Sequence, residues 1–527
     1  MKYRYSQVDK DNLNWFANDM TVASLTKVDI EIGNLRGLKD FKVEFKYPIS
    51  VIAGRNRSGK STILAMVACA FHNNKDGFKL PERKLPYYTF SDFFIQSSEE
   101  IPPGGILIMY RIMHNHWWNK STHAADGIGN FWQNRQKKVG GKWINYNRRV
   151  RRNVVFFGVQ RVVPPSEKSV SKSYRSYFSD QAPAGWEDNV KDVVGRILGT
   201  AYDDFRMKTY GRYHLPIVSS QGTRYSGFNM GAGENALFEI FSTIYATPTG
   251  TLLVIDEIEL GLHENAQRKL IQEFKEVCRQ RHIQIVCTTH SSAIIEEVPP
   301  EACFYVESFS GKTNIIPCVT PLYAAGKLAG ENTNELDIFV EDSDSATLIA
   351  AFIETSIRKR LNIIPIGSPI PIIHQMAARY RDPKESECIA IMDGDQAHAL
   401  DLHKSQFLKS LESSKDAEQE AEWFMQRLAF LPGNVWPEKW LIETLKSVDI
   451  SGLAKLLHTS EEELLTYIDD ASNALKHNEI YILAQNLSLD PANIYYVSAV
   501  WLLGMGNNDF KPIHEIIDRF LFQFDFK

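Results

Sequence analysis

Apolar and polar residues alternate first at Val28, Ile30 and Ile32, and again at Phe41, Val43 and Phe45, with glycine-containing turn chemistry between the two runs. Alternation sends successive side chains to opposite faces, so it predicts two half-buried strands. Residues 1 to about 24 are polar with scattered aromatics and read as an arm or a short helix. From Ile49 to Ala53 the pattern becomes continuously apolar, which suits a fully buried strand. The sequence ILAMVACAFH soon after it suits a packed helix, ended by Asn73 to Gly77. Residues 85–160 read mainly as strands and turns (GGILIMYRIM, GKWINYNRRV, RNVVFFGVQRVV). Residues 184–209 read as a helix, with Val190, Val193 and Ile197 at helical spacing. Leu252 to Ile255 and IQIVCTTHSS predict two more buried strands, separated by a helix from Glu264 to Gln280. Beyond the polar stretch GENTNE come strands at Ile338 to Val340, in NIIPIGSPI and in ECIAIMDGDQAH, and from 401 onward the pattern is helical. Ile513, Ile516, Ile517, Phe520, Leu521 and Phe522 give the last helix a wide apolar face.

Candidate chemistry sits at the junctions. The stretch AGRNRSGKST fits G-x-x-x-x-G-K-[ST] from Gly54 to Ser61, between a predicted strand and a predicted helix. Such a loop curls so that main-chain N–H groups face phosphate oxygens, the lysine brings charge to the β/γ end, and the serine hydroxyl suits Mg²⁺. The binding candidates here are Gly54, Asn56, Ser58, Gly59, Lys60, Ser61 and Thr62. Arg57 stands where many such loops carry a second glycine. Met230 to Glu234 (MGAGE) opens a helix, and its Gly231, Gly233 and Glu234 are further candidates for an anion at a helix N-terminus. Asp256 and Glu257 leave the end of the 252–255 strand, Asp256 to hold Mg²⁺ and Glu257 to polarise an attacking water. His290 ends the next strand, within reach of a γ-phosphate. Asp92, Gln96 and Gln160 are alternatives for a residue aimed at Mg²⁺ and water.

Composition narrows the setting. The 527 residues are 44 % hydrophobic and 23 % charged, with net charge −5, so two to four domains fit and no global basic field exists. Six scattered cysteines without a C-x-x-C pair read as reduced thiols, and neither an N-terminal apolar h-region nor a membrane-length apolar run is seen. A cytoplasmic protein without membrane contact is expected. One interval, Gly127 to Asn153, contains no acid and carries Arg135, Lys137, Lys138, Lys142, Arg148, Arg149, Arg151 and Arg152 among Phe131, Trp132, Trp143 and Tyr146. Segment 135–152 is therefore the candidate nucleic-acid contact, a solvated hairpin or a dock for an acidic partner being the alternatives. His114, His116 and His123 lack supporting carboxylates and read as a polar loop.

The order GRNRSGKST, MGAGEN, LLVIDE, TTH, with the opening VDIEIGNLRGLKDFKVEF, resembles the ATP-binding-cassette heads of the SMC and overcoming-lysogenization-defect (OLD) group. The resemblance implies ATP and Mg²⁺ as cofactors. It also implies a homodimer or higher oligomer through the heads, with Met230 to Glu234 of one copy facing the phosphate loop of another, and Gly261-Leu262-His263 as the loop after the acids. Gly231 replaces the usual serine and Ala232 the usual glycine, which points to slow turnover. The interval between loop and signature is too strand-rich for a coiled-coil arm. Glu341 at one strand end and Asp393-Gly394-Asp395 at another resemble the metal-binding acids of a topoisomerase–primase (TOPRIM) domain, with Asp342 in place of the usual glycine, Ser345 in place of the distal acid and Asp344 one place early. The expected architecture is α/β: an ABC-type P-loop ATPase head over 1–330 with mixed sheet and antiparallel β subdomain (85–180 a β-rich, basic insertion), a TOPRIM-like core over 331–400 and a helical region over 401–527. The whole is similar to the Septu-type (PtuA family) antiphage ATPases, sometimes found beside a retron. It implies a nucleotide-gated scaffold for a separate HNH nuclease. A self-sufficient OLD-type nuclease using Glu341, Asp393 and Asp395 is the alternative, with a DNA-end-binding repair ATPase behind it.

Overall fold

The apolar run ahead of the glycine-rich loop becomes an inner strand of a six-stranded sheet in the computed structural model. The structure describes residues 3–97, 99–100, 103–139, 141–144, 149–163, 167, 175–309, 312–329, 334–383, 386–411 and 416–522. They form two compact units, Lys2–Glu331 and Asn332–Lys527. The strands of the first are Ser24–Ile32 (β1), Lys42–Glu44 (β2), Ile49–Gly54 (β3), Ile106–Asn119 (β4), Ala124–Lys137 (β5), Val154–Phe157 (β6), Ser179–Asp180 (β7), Asp204–Tyr210 (β8), Tyr213–Ser220 (β9), Thr223–Ser226 (β10), Leu252–Ile255 (β11), Gln284–Thr289 (β12), Cys303–Phe309 (β13) and Lys312–Pro317 (β14).

The main sheet runs β14-β13-β3-β12-β11-β6. Every pair in it is parallel except β13 with the edge strand β14. Every residue of β3, β11 and β12 is buried, which is why these segments read as unbroken apolar runs and not as alternating ones. Helices Lys60–Ala68, Ala232–Ala246 and Glu264–Arg281 bury Leu64, Phe241 and Phe274 in the same apolar core. Two antiparallel sheets complete the unit, β2-β1-β4-β5 and β10-β9-β8-β7. The expected fold, a mixed sheet with antiparallel β structure and a helical C-terminal part, is the one observed.

Two local expectations need correction, and a third divides. The helix expected over 184–209 spans only Glu187–Leu198, because Gly199 at φ 71° turns the chain out of it and β8 follows. GKWINYNRRV forms no strand among its described residues; one isolated bridge joins Lys137 to Trp143. The basic run over 135–152 divides between interior and surface: Lys138, Lys142 and Arg151 are exposed. Arg135, Arg149 and Arg152 are buried. Arg149 donates to the carbonyls of Cys69 (3.0 Å) and Tyr88 (2.9 Å), Arg135 to Ala70 (3.1 Å), and Arg152 to Gly250 (2.7 Å) and Gln284 (2.7 Å). Trp143 stacks on Phe90 at 3.9 Å. These three arginines satisfy polar groups of the core; Tyr146 and Arg148 lie outside the described residues.

The second unit is built on a parallel sheet of order β16-β15-β17-β18, formed by Leu336–Val340 (β15), Leu361–Pro365 (β16), Glu387–Met392 (β17) and Leu428–Phe430 (β18). β18 lies in sequence that reads as helical, so this sheet continues past residue 400. The helices after it include Pro437–Ser447, Glu461–Ser472, Pro491–Gly504 and Lys511–Phe522. The six cysteines are free and buried. No helix among the described residues is long and apolar enough to cross a membrane.

Candidate functional site

Because β3, β12, β11 and β6 are neighbours and parallel, their carboxyl ends lie along one edge. Gly54, His290, Asp256 and Gln160 leave the sheet there, from four separated parts of the chain. Gly59 takes φ 100° at the N-cap of helix Lys60–Ala68, a conformation that costs glycine nothing. Arg57 takes φ 65° in the same loop, so the unusual residue sits in the left-handed region a glycine would favour. Lys60 is buried and its Nζ donates to the carbonyls of Gly54 (2.7 Å) and Arg55 (3.0 Å). Burial lowers the Lys60 pKa, and Asp256, Glu257 and Glu259 oppose that shift. Asn56 is exposed on the loop, while Ser58 and Thr62 are buried beneath it.

The Ser61 hydroxyl lies 3.3 Å from Asp256 Oδ2. Thr288, on β12, joins the two acids after β11: its hydroxyl donates to Asp256 Oδ1 (2.6 Å) and accepts the Glu257 N–H (2.7 Å). Glu257 itself is at φ 48°. Glu259 accepts the Thr289 hydroxyl (2.8 Å) and the His290 N–H (2.6 Å), which fixes the main chain at His290. The Arg161 guanidinium bonds the carbonyls of Asp256 and Glu257, at 2.6 Å each, from the turn after β6. Its neighbour Gln160 is exposed at that same edge. Asp92 is instead spent in a capping box with Thr89 and an ion pair with Arg83 (3.2 Å), and Gln96 lines a separate pocket with Phe94 and Trp143. A hydroxyl and a carboxylate converging beside a loop of main-chain N–H groups are the hard oxygen donors that magnesium takes, so Ser61 and Asp256 fit a Mg²⁺–nucleotide.

The glycine motif starts helix Ala232–Ala246 with Gly231 as an exposed N-cap. A methyl group at Gly231 would meet nothing within 4 Å, whereas one at Gly233 would lie 2.0 Å from the Gly261 carbonyl oxygen. The motif therefore packs against the loop after the acids, and that loop ends in His263, the N-cap of helix Glu264–Arg281. Glu234, expected as a nucleotide contact, accepts the hydroxyls of Tyr202 and Tyr225 at 2.7 Å each. Both bonds fall on Oε1, which ties the carboxylate to its own unit.

In the second unit β15 and β17 bring Glu341 and Asp393 to one edge, where Glu341 Oε1 accepts the Asp393 N–H (3.0 Å). Asp393 is buried, and its Oδ1 accepts the Ser345 hydroxyl (2.8 Å). Burial, then the neighbouring Glu341, pushes its pKa up to about 8, and burial raises Glu341 as well. Asp395 faces Lys476 at 3.4 Å. Among the described residues no group of three or more His, Cys, Asp or Glu side chains is arranged to hold a metal. The three acids expected as ligands are gathered but internally engaged.

Thr288, Glu259 and Arg161 were not singled out in the sequence. Thr288 lies within the TTH run that pointed to His290, and Glu259 within ELGLH, but nothing in the sequence shows that they hold the acids and His290 in place.

Two family models match the chain. Residues 217–296 match the model described as "AAA domain, putative AbiEii toxin, Type IV TA system", and residues 27–109 match the one described as "AAA ATPase domain". No curated protein matches. Among solved structures, an SmcHead bound to the C-winged helix domain of ScpA is 12 % identical with TM-score 0.37, covering 55 % of this chain and 97 % of that one. The SMC head domain from Thermotoga maritima is 14 % identical with TM-score 0.30 (56 % and 98 % covered). A Smc head domain with an extended coiled coil, bound to the C-terminal domain of ScpA derived from Pyrococcus furiosus, is 11 % identical with TM-score 0.36 (55 % and 95 % covered).

Proposed function

We propose, from the premise that the first unit is an AAA-type P-loop ATPase, that this protein is a nucleotide-gated switch that regulates a partner HNH nuclease in bacterial antiphage defence. The observation that carries the ATPase part is Thr288, one hydroxyl bridging Asp256 and the Glu257 N–H while Ser61 meets the other oxygen of Asp256. The loop amides and Lys60 hold the β- and γ-phosphates; Lys60 trades the Gly54 and Arg55 carbonyls for phosphate oxygens. Ser61 and Asp256 hold Mg²⁺, which when bound neutralises phosphate charge. Glu257 accepts a proton from the attacking water, Gln160 orients that water, and His290, its main chain fixed by Glu259, reads the γ-phosphate. The exposed N-terminus at Gly231 serves the nucleotide of a second copy, so the site is completed by homodimerisation. Without a serine hydroxyl at 231, turnover is slow and ATP acts as a held ligand.

The regulatory part rests on the resemblance to Septu-type ATPases, and the toxin–antitoxin description of the family model over 217–296 accords with it. The engaged Asp393 favours a TOPRIM-like scaffold over a nuclease. The second reading, a self-sufficient OLD-type nuclease, draws on the meeting of Glu341 and Asp393. Purified protein with Mg²⁺ or Mn²⁺ and plasmid DNA separates the two. No cleavage is expected, and cleavage that vanishes in Asp393→Ala would overturn the scaffold. Lys60→Ala is expected to lose ATP binding; retained binding would sink the ATPase reading itself.

A further inference from the structure

The second unit holds a pocket of about 410 Å³ where β17 begins, at the opposite end of that strand from Asp393. We propose that this pocket is a binding site for a phosphate-sized oxyanion, held by Arg427 and Arg379. Both arginines line it and both are more than nine-tenths buried, 8 % and 4 % exposed. The Arg427 guanidinium lies over the Trp423 ring (4.3 Å) and the Phe520 ring (4.7 Å), so its plane is fixed before any ligand arrives. Its counterion is Glu387, through a single 3.0 Å contact, and that carboxylate side chain is 33 % exposed. Arg379 has a different partner. It pairs with Asp337 and also donates to the Ser386 carbonyl (3.5 Å) and hydroxyl (3.3 Å), while Asp337 accepts the Ser386 hydroxyl (3.1 Å) and the Asn362 amide (2.9 Å). The Nε–H group of each arginine is enclosed and has no hydrogen-bond partner among the described residues.

An arginine carries five N–H donors in a planar fork that matches an oxyanion in two-point contact. Arg427 spends one contact, on the most replaceable acid of the pocket. Burial with unspent donors is costly unless something else takes them, and a phosphoryl group does so with the right charge and geometry. The incoming anion takes the place of Glu387, which turns outward to water. Stacking by a ligand ring is not the recognition mode, because Arg427 lies over the Trp423 ring and the Phe407 ring packs nearly parallel to it at 6.0 Å. The volume exceeds that of one phosphate, so the anion is either free or the terminal group of a larger molecule. The site does not depend on ATP hydrolysis by the first unit.

The test uses the full chain carrying Lys60→Ala, so that the phosphate loop cannot supply the signal. Inorganic phosphate, adenosine monophosphate and a phosphoserine peptide are titrated in parallel calorimetric runs, and the tightest of the three identifies the source of the anion. Phosphate is expected to saturate one site. Arg427→Gln weakens it at least about tenfold. Glu387→Gln tightens it, because the internal competitor is gone. Glu462→Gln, the same charge change outside the pocket, leaves it alone. Should Arg427→Gln not fold, Arg427→Lys keeps the charge, loses the fork and is expected to weaken binding. Absence of saturable binding in the Lys60→Ala chain overturns the site. So does a Glu387→Gln chain that binds no better than its parent, or an Arg427 variant that binds as well.

Discussion

Arg57 is held at φ 65°, in the loop from Gly54 to Ser61. A side chain in the left-handed region costs about 1–2 kcal/mol, and removing one loosens the unfolded chain by about 0.4–1 kcal/mol. The first effect wins, so Arg57→Gly is expected to stabilise the first unit by roughly 0.5 kcal/mol in urea denaturation. Arg57→Ala, which keeps the strain, should not stabilise. Asp393 is the second residue whose surroundings fix an outcome. Its carboxyl ionises near 3.8 when unfolded and at about 8 when folded, so the folded state holds the extra proton between those values. Its contribution to stability is therefore fully present below about pH 4 and is lost as pH rises to about 8. Asp393→Asn keeps a neutral group beside Ser345. It should flatten the pH dependence of denaturant midpoints across that window, and an unchanged slope would contradict the assignment.

At the scale of elements, the helix that starts at Ala232 is set by two glycines with opposite tolerances. A methyl group at Gly233 runs into the Gly261 carbonyl, so Gly233→Ala should cost about 1–3 kcal/mol and displace the loop that follows Asp256 and Glu257. Gly231 has open space around it, so Gly231→Ser should fold normally and raise the steady-state ATPase rate if a second copy's γ-phosphate lies there. Lower Tm and lost turnover for the first, with normal Tm and faster turnover for the second, is the expected pattern. The phosphate loop, the strand before Asp256 and the strand before His290 were legible because each function sits in one contiguous run whose burial leaves an unbroken apolar pattern. Thr288 and Glu259 were not, since their partners come from a different strand end. The burial of three arginines in the acid-free basic run was not legible for a related reason. Arg135, Arg149 and Arg152 answer carbonyls at Ala70, Cys69 and Gly250, distant in sequence, and a buried arginine meeting a carbonyl needs no acid nearby. β18 is not legible because three residues carry no period, and the Asp393 bond to Ser345 is not legible because it appears only on folding.

For the molecule as a whole, the proposed borrowing of Gly231 from another copy would make association depend on nucleotide. Glu257→Gln should bind Mg²⁺–ATP without hydrolysing it and sediment as a dimer, while Lys60→Ala should stay unassociated under the same conditions. Nucleotide-independent sedimentation of both would remove the composite site. The buried arginines extend this beyond the ligand's own contacts. Arg149 and Arg135 neutralise carbonyls just past the end of helix Lys60–Ala68, with Gln133 adding an amide at Ala70. That helix turns its positive pole to the Gly54–Ser61 loop, and its negative pole, about 13 Å away, meets fixed guanidinium charge. The hairpin β4–β5 and the chain after it thus act as an electrostatic counterweight, and in the proposed ATPase the grip on ATP would be set partly by residues that never approach it.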